Sequence, residues 1–338
     1  MNQRQRNTSI DALRVIATLA VVWLHVSASV VVRNPDVHSV IWWIGNTADA
    51  FSRWCVPVFV MISGTLLLSN PTQLTLTELY KKRAFRLLPP IIFWTFVYIV
   101  FHVYTSKEFN LTLVAENIVA GKPYYHLWYL YMIVGLYLFA PFLQPLVSGI
   151  NSGSLRILIF CCFAVAVIET LLGGSGSSTF LSRFLPFVGY FLAGYYLQNH
   201  GHSLSNRLLF LTFLACGTFI ALGTGALLPF VGPRSWKIMY TYLNPLVVIM
   251  SLCIFLLFIK QKVTLFIPLD LLQRIATVSL GIYVIHPLSF WFLAKFKISP
   301  FMIHPLIGIP ITTLLAFTLS LASASLMAHI PFLKRTVS

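Results

Sequence analysis

The feature that most constrains this chain is a series of apolar runs, each about long enough to cross a lipid bilayer as one helix. A helical span needs about 20 apolar residues. Ten such runs recur with short polar breaks, at residues 10–32, 46–69, 87–106, 125–147, 155–174, 183–198, 207–228, 238–259, 272–294 and 305–330. Only 9% of the residues are charged, against roughly 25% in a soluble domain. We therefore predict an all-α polytopic membrane protein, a bundle of about ten transmembrane helices.

No linker between these runs is long enough to hold a soluble domain, and the sequence contains no internal repeat or low-complexity tract. We therefore expect one transmembrane domain over residues 1–338, with no appended soluble domain. The first run follows two arginines, as a signal peptide would. It contains Arg14 and His25, however, and residues 27–29 are a poor cleavage site. We therefore interpret it as the first span.

The net charge of +15 does not indicate nucleic acid binding, because the Lys and Arg residues lie mostly at the ends of apolar runs and form no basic stripe. Cations in that position anchor the topology and contact anionic lipid headgroups. Thirteen of them fall on the side of the N-terminus and eight on the opposite side. The positive-inside rule then predicts that both termini are cytoplasmic. Membrane lipids are expected partners, and nucleic acid is not.

The first run carries three ionisable residues whose spacing places them on one helical face. Asp11 and Arg14 are three residues apart, so they can pair. Eleven residues separate Arg14 from His25, which is about three turns, or roughly 16 Å along the axis. The face thus presents a cation near the cytoplasmic end and an imidazole deep in the membrane. The spacing is also compatible with a structural histidine and a snorkelling arginine.

Other ionisable residues inside the runs are functional candidates, because such groups are costly in lipid unless they are paired or hydrated. Asp49 and Arg53 are four residues apart and are expected to pair, ahead of Pro57, which is expected to kink or interrupt the span. Glu169 has no local partner, so we expect it to pair with Arg53 or Arg14 across the bundle. For all three, structural pairing and the lining of a polar cavity remain open interpretations.

Two further segments combine histidine with aromatic residues. His126 and Trp128 lie at the outer end of the fourth run, where an interfacial aromatic belt explains the tryptophan better than the histidine. Tyr283 and His286 are three residues apart and share a helical face. No metal site is predicted, because the five cysteines show no CxxC spacing and have no histidine neighbours.

A basic cluster at residues 81–86 precedes the third run. Arg83 and Arg86 are three residues apart and project together if the helix has already begun there, with Lys82 beside them. Two guanidinium groups in that arrangement can bind phosphate oxygens bidentately. A positive-inside anchor is the alternative interpretation. The prolines at positions 89 and 90 fit the first turn of a helix, where a missing N–H is harmless.

Taken in order, these motifs resemble the acyltransferase-3 family of membrane O-acyltransferases, which modify surface polysaccharides. The resemblance covers nearly the whole chain. It is carried by residues 11–14 with His25, by 56–64 including Ser63, by 83–86, by 126–130 and by 279–286. More narrowly, the pair 52–53 and the run 279–283 resemble the branch that includes the enterobacterial-common-antigen O-acetyltransferase.

The resemblance implies a transferase that uses acetyl-CoA, or another acyl-CoA, as a cytosolic donor substrate and binds no permanent cofactor. It implies that the CoA phosphates bind at Arg83 and Arg86, to which we add Lys82. It also implies that Arg14 and His25 are essential, with Asp11 beside them. The expected location is the bacterial cytoplasmic (inner) membrane.

The acceptor implied by the resemblance is a glycan or a lipid-linked sugar, and a homo-oligomer is compatible with the sequence. His25 acts either as a general base on the acceptor hydroxyl or as a transient acyl carrier. Seven residues are assigned to the acceptor side or the cavity lining: Ser63, Arg53, His126, Trp128, Glu169, Tyr283 and His286.

Two other functional classes compete with this interpretation. A transporter or flippase of a lipid-linked sugar would also contain buried charges, but it would favour inverted repeats. No such repeat is visible, and transport gives no reason for the spacing of Arg14 and His25. Acylation of a peptide, protein or small molecule is the third possibility, and the sequence does not exclude it.

Overall fold

The computed structural model describes residues 7–69, 76–172, 179–201, 204–232, 234–261 and 267–338. Within these ranges the chain forms fifteen α-helices and one turn of 3-10 helix, with no strand. In chain order the helices are α1 (Thr8–Arg33), α2 (Val40–Ala50), α3 (Cys55–Leu68), α4 (Leu76–Ser106), α5 (Leu111–Val119), α6 (Trp128–Gly149), α7 (Ser152–Leu171), α8 (Val188–His200), α9 (Asn206–Val231), α10 (Arg234–Met239), α11 (Pro245–Gln261), α12 (Leu269–Thr277), α13 (Ser279–Lys295), α14 (Pro305–His329) and α15 (Pro331–Val337). The all-α prediction is confirmed.

Seven helical segments of the described chain are long and apolar enough to cross a membrane. They are Thr8–Arg33, Val40–Leu68, Thr77–Ser106, Trp128–Gly149, Ser152–Leu171, Asn206–Val231 and Pro305–His329. The bent pair α12–α13, whose axes differ by 67°, is an eighth if it forms one span. Helices α8 and α11 are shorter, with 13 and 17 residues.

These helices agree with a multi-pass membrane protein, whereas the count of ten spans and the cytoplasmic termini stay predictions. Some residues on which those predictions rest lie outside the described ranges. They are Arg4, Arg6 and Lys262 of the charge count and residues 173–174 of the fifth run.

Helix α1 lies inside the bundle, where α2, α3, α11, α12, α13 and α14 pack against it. Its 26 residues extend for about 39 Å, enough to cross a hydrocarbon core of about 30 Å. The side chain of Asn7 caps its N-terminus by accepting hydrogen bonds from the backbone N–H groups of Ser9 and Ile10. Asp11 in the first turn also stabilises the N-terminus of α1, because a carboxylate complements the positive end of the helix dipole.

The second apolar run is broken into two helices at residues 51–54, which form a turn. The predicted interruption therefore lies before Pro57 rather than at it. Pro57 is the third residue of α3, where a missing N–H breaks no intrahelical bond. The hydroxyl of Ser52 donates to the carbonyl of Asp49 (2.8 Å), and the indole of Trp54 donates to that of Phe51 (2.8 Å). These bonds hold the turn that carries Arg53.

The prediction that Pro89 and Pro90 begin a helix is wrong, because both lie in the interior of α4. The helix has already started at Leu76. A proline cannot donate to the carbonyl four residues earlier, so the pair leaves the carbonyls of Phe85 and Arg86 without a helical donor. The helix nevertheless continues to Ser106.

Helices α3 and α8 cross with their backbones in direct contact. A Cβ atom at Gly64 would overlap the carbonyl of Phe191, and one at Gly194 would overlap that of Met61. The close approach lets the hydroxyl of Thr65 donate to the carbonyl of Gly194 at 2.8 Å. Small residues at the crossing are the usual means by which membrane helices pack closely.

This crossing predicts that Gly64→Ala and Gly194→Ala each destabilise the protein. The added methyl group must separate the two helices, and overpacking of this kind costs about 1–3 kcal/mol. A matched control is Gly149→Ala at the end of α6, where a Cβ meets no other atom within 4 Å. Thermal unfolding in detergent should show a fall of several degrees for the first two variants alone. Equal midpoints for all three variants would contradict the packing.

Candidate active site

Three histidines from distant parts of the chain meet inside the bundle. His25 is contributed by α1, His126 by the turn that precedes α6, and His286 by α13. The rings of His25 and His286 stack, with centroids 4.9 Å apart, and the His126 ring lies 5.4 Å from that of His286. His126 and His286 are fully buried, whereas His25 is partly exposed. We call these three residues the histidine cluster.

The orientation of His286 follows from the proline after it. In a regular helix the carbonyl of Tyr283 would accept a hydrogen bond from residue 287, but Pro287 has no N–H to donate. The Nδ1 atom of His286 lies 2.5 Å from that carbonyl. Since a carbonyl only accepts, Nδ1 carries the proton and Nε2 has a free lone pair. Among the described residues, this buried Nε2 has no hydrogen-bond partner.

The turn that carries His126 is held against α13 by tyrosine hydroxyls. Tyr283 donates to the backbone carbonyl of His126. Tyr98 of α4 donates to the carbonyl of Val284 at 2.6 Å, and its ring stacks on Tyr124 with centroids 4.5 Å apart. Both imidazole nitrogens of His126 are buried, and neither has a partner within the described part of the chain. The turn is therefore fixed through its backbone, which leaves the imidazole available.

A buried ion pair lies close to the cluster. Arg53 contacts Asp49 at 2.5 Å, which confirms the predicted pair, and its guanidinium lies 4.0 Å from the centre of the Tyr240 ring. Arg53 also interacts electrostatically with His25. Trp128, the other aromatic candidate from the sequence, stacks on Tyr242 with centroids 5.6 Å apart. The break between α2 and α3 thus brings a cation toward the histidines.

Towards the start of α1, the pair of Asp11 and Arg14 is formed at 3.7 Å, as its spacing predicted. The side chain of Arg14 is 24% exposed. Ser63 forms a hydrogen bond with the hydroxyl of Tyr129, and Arg14 interacts with it electrostatically. The Tyr129 ring lies 5.3 Å from that of Tyr283. Tyr129 and Tyr283 therefore connect the arginine end of α1 to the histidine cluster.

The basic cluster of α4 is arranged differently from the prediction. Arg83 is buried, and its guanidinium donates to the carbonyl of Tyr137 on α6. Arg86 is exposed. The two arginines therefore do not project together, because one side of α4 faces α6 and the other faces outward. The side chain of Lys82 lies outside the described part of the structure.

The expected pairing of Glu169 with Arg53 or Arg14 is wrong. Glu169 is exposed near the end of α7, a helix that packs against α8. Arg53 pairs with Asp49, and Arg14 pairs with Asp11. The apolar surroundings in the sequence indicated depth in the membrane but not the face of the helix on which Glu169 lies.

Several residues of the site were missed by sequence reasoning. The Tyr125 ring lies 5.2 Å from that of His25 and the Tyr98 ring 4.8 Å from that of His126, while Tyr129 contacts Tyr283. Tyr125 and Tyr129 are two of the six aromatic residues at positions 124–137, and no sequence pattern distinguishes them from the other four. Pro287, by contrast, could have indicated the orientation of His286 from the sequence. A proline directly after a histidine in a helix leaves a carbonyl without its helical donor, and the histidine side chain can reach that carbonyl.

The arrangement suits proton transfer. No group of three His, Cys, Asp or Glu side chains able to hold a metal ion occurs among the described residues. The cluster instead offers unprotonated imidazole nitrogens in a water-poor interior, with a guanidinium close by. Such groups can accept a proton from a hydroxyl and stabilise negative charge that develops on an oxygen.

Comparison with known proteins gives one match. The sequence model of a family described as an acyltransferase domain matches residues 7–325. The matched range includes the whole histidine cluster, both ion pairs and the basic residues of α4. No curated protein and no solved structure matches the chain.

Proposed function

The chain belongs to the acyltransferase-3 family, and from this premise we propose that it is a membrane O-acyltransferase, most simply an O-acetyltransferase. The donor is cytosolic acetyl-CoA or another acyl-CoA. The acceptor is a hydroxyl of a surface polysaccharide or of its lipid-linked precursor. The observation that carries the proposal is the meeting of three imidazoles inside a membrane bundle, beside Arg53 and in line with Arg14 on α1.

In the proposed reaction His25 is the general base. Its imidazole takes the proton of the acceptor hydroxyl, and the oxygen attacks the thioester carbonyl. The tetrahedral intermediate collapses with cleavage of the carbon–sulfur bond, and the CoA thiolate takes the proton from the imidazolium. An ester and free CoA are formed, so the base is restored. His25 suits this role because it is the one histidine of the cluster that is partly exposed and so open to an acceptor.

The other two histidines serve the acceptor. The Nε2 atom of His286 and the nitrogens of His126 are buried hydrogen-bonding groups without a partner among the described residues, and a sugar has several hydroxyls to offer them. Burying such groups unpaired is costly, so an acceptor that satisfies them gains affinity and orientation. Arg53 acts electrostatically on His25, and we assign it the stabilisation of the intermediate oxyanion.

The donor approaches from the end of the bundle where α1 begins. There Arg14 is partly exposed, and Arg86 on α4 is exposed. We assign the CoA phosphates to this end, with the acyl arm extending along α1 toward His25. We also propose ten spans with both termini in the cytoplasm, which the charge distribution supports. The bacterial inner membrane is the proposed location, which the family resemblance supports.

The catalytic proposal predicts that His25→Ala abolishes transfer while acyl-CoA binding and expression are retained. A general base contributes about 10²–10⁴-fold to the rate, so less than about one-hundredth of the rate should remain. Purified protein in proteoliposomes is supplied with radiolabelled acetyl-CoA and lipid-linked oligosaccharides extracted from bacterial membranes. Acetyl-CoA affinity is measured on the same samples by calorimetry.

His200→Ala is the matched control, because His200 is exposed at the end of α8 and its ring contacts Tyr196 rather than a residue of the cluster. It should leave both the rate and the affinity unchanged. If His25→Ala retains more than about a tenth of the rate, His25 is not the base. Movement of the sugar across the bilayer without any transfer of label would identify a flippase instead.

The donor assignment predicts that Arg86→Ala lowers acetyl-CoA affinity at least about tenfold, since a hydrogen bond to a charged group is worth about 1.5–3 kcal/mol. Arg86→Lys should restore only part of it, because an ammonium lacks the planar fork. Lys81→Ala, which removes an exposed charge from the same helix, is the control in calorimetric titrations. Unchanged acetyl-CoA affinity in Arg86→Ala would reduce the cluster to a topology anchor, and an equal loss at Lys81 would show that Arg86 has no specific role.

A further inference from the structure

A row of aromatic rings leads from the histidine cluster to one end of the bundle. It begins at Tyr125, whose ring lies 5.2 Å from that of His25. The row consists of Tyr125, Tyr124, Phe101, Trp291 and Tyr104, with successive centroids 4.9, 6.2, 5.6 and 6.0 Å apart. Three elements contribute to it: the turn before α6, the last turns of α4 and the last turns of α13. We call these five residues the aromatic row.

The aromatic row is accessible along its length. Tyr125 is 51% exposed and Tyr104 is 68% exposed, and the three residues between them are partly exposed. His126 and His286 are buried behind its inner end. A ligand on the row can therefore reach His25 while it remains outside the packed core.

The outer end of the row carries positive charge. The ammonium group of Lys295 lies 4.9 Å from the centre of the Trp291 ring, and Lys295 is exposed. A cation over an aromatic face is stabilised by the ring quadrupole, which keeps this charge beside the row. A ligand that extends from His25 to this end thus meets apolar ring faces first and a cation last.

A glycan can bind both the ring faces of the aromatic row and the cation at its end. One face of a sugar ring carries mainly C–H groups and packs on an aromatic face, while its hydroxyls remain free for polar partners. Tyr and Trp residues at a membrane surface also occur as a belt that contacts lipid headgroups. A belt explains exposed aromatics at the end of the bundle, but it does not explain an unbroken series of ring contacts that ends on the candidate base.

We propose that the aromatic row binds successive sugar units of an anionic acceptor glycan, with the unit to be acylated at Tyr125 and a phosphate or carboxylate of the glycan at Lys295. The proposal rests on the proposed transferase function, and it names the acceptor site of that reaction. Removing a ring from the middle or the end of the row should weaken acceptor binding and leave donor binding unchanged.

The test uses proteoliposomes supplied with radiolabelled acetyl-CoA and lipid-linked oligosaccharides from bacterial membranes. Trp291→Ala and Tyr104→Ala should each raise the KM for the oligosaccharide about five- to tenfold, which is about 1.0–1.4 kcal/mol, because each removes a ring face on which a sugar unit packs. The KM for acetyl-CoA should stay within about twofold. Trp291→Phe, which keeps a ring, should recover most of the affinity.

Phe296→Ala is the matched control, because Phe296 is 63% exposed next to the end of α13 and is absent from the row. Lys295→Ala should raise the KM for the oligosaccharide and make it less sensitive to salt, because an exposed charge pair is screened by ions. If Phe296→Ala and Trp291→Ala behave alike, the row is a membrane belt and the inference is overturned. Absence of transfer by the unmodified protein would instead overturn the proposed function, and the inference with it.

Discussion

Hydrocarbon offers no hydrogen-bond partner, so a polar side chain inside this bundle must find one within the protein. Several large side chains do so by donating to backbone carbonyls of other helices. The indole of Trp94 donates to Thr336 at 2.9 Å, and the hydroxyl of Tyr98 donates to Val284 at 2.6 Å. Each bond fixes α4 against the C-terminal helices while it removes the cost of a buried donor. The same constraint pairs the buried carboxylate of Asp49, near the end of α2, with the guanidinium of Arg53 in the break between α2 and α3.

The histidine cluster is an exception to this rule, because it contains buried imidazole nitrogens without a partner among the described residues. Other unpartnered polar atoms of the described chain are spread over several helices, whereas three imidazole nitrogens without a partner lie together in His126 and His286. Their positions are fixed by neighbouring groups: Pro287 frees the carbonyl that orients His286, and Tyr283 holds the backbone of His126. Packing that fixes imidazoles without consuming their lone pairs suits proton transfer to or from a bound hydroxyl.

Residue spacing in the sequence correctly predicted the features that depend only on the geometry of a single helix. The pairs at 11–14 and 49–53 are formed, and each of the ten apolar runs overlaps a helix. Spacing could not bring His126 and His286 to His25, because more than 100 residues separate them and only tertiary packing closes the distance. It also failed for Glu169 and Arg83, since hydropathy gives the depth of a residue but not the neighbour it faces. The three histidines were candidates because of their positions in the apolar runs, the family resemblance implied that His25 is essential, and the contacts between them came from the structure.

The central claim is that the acyl group is delivered to His25 from the end where α1 begins. A cryo-EM structure with a thioether analogue of acetyl-CoA, which cannot lose its acyl group, tests it most directly. The account predicts phosphates near Arg14 and Arg86 and the analogue's ketone beside the imidazole of His25. Phosphates bound at the opposite end near Lys295, or a ketone in a separate cavity remote from the histidine cluster, would contradict it.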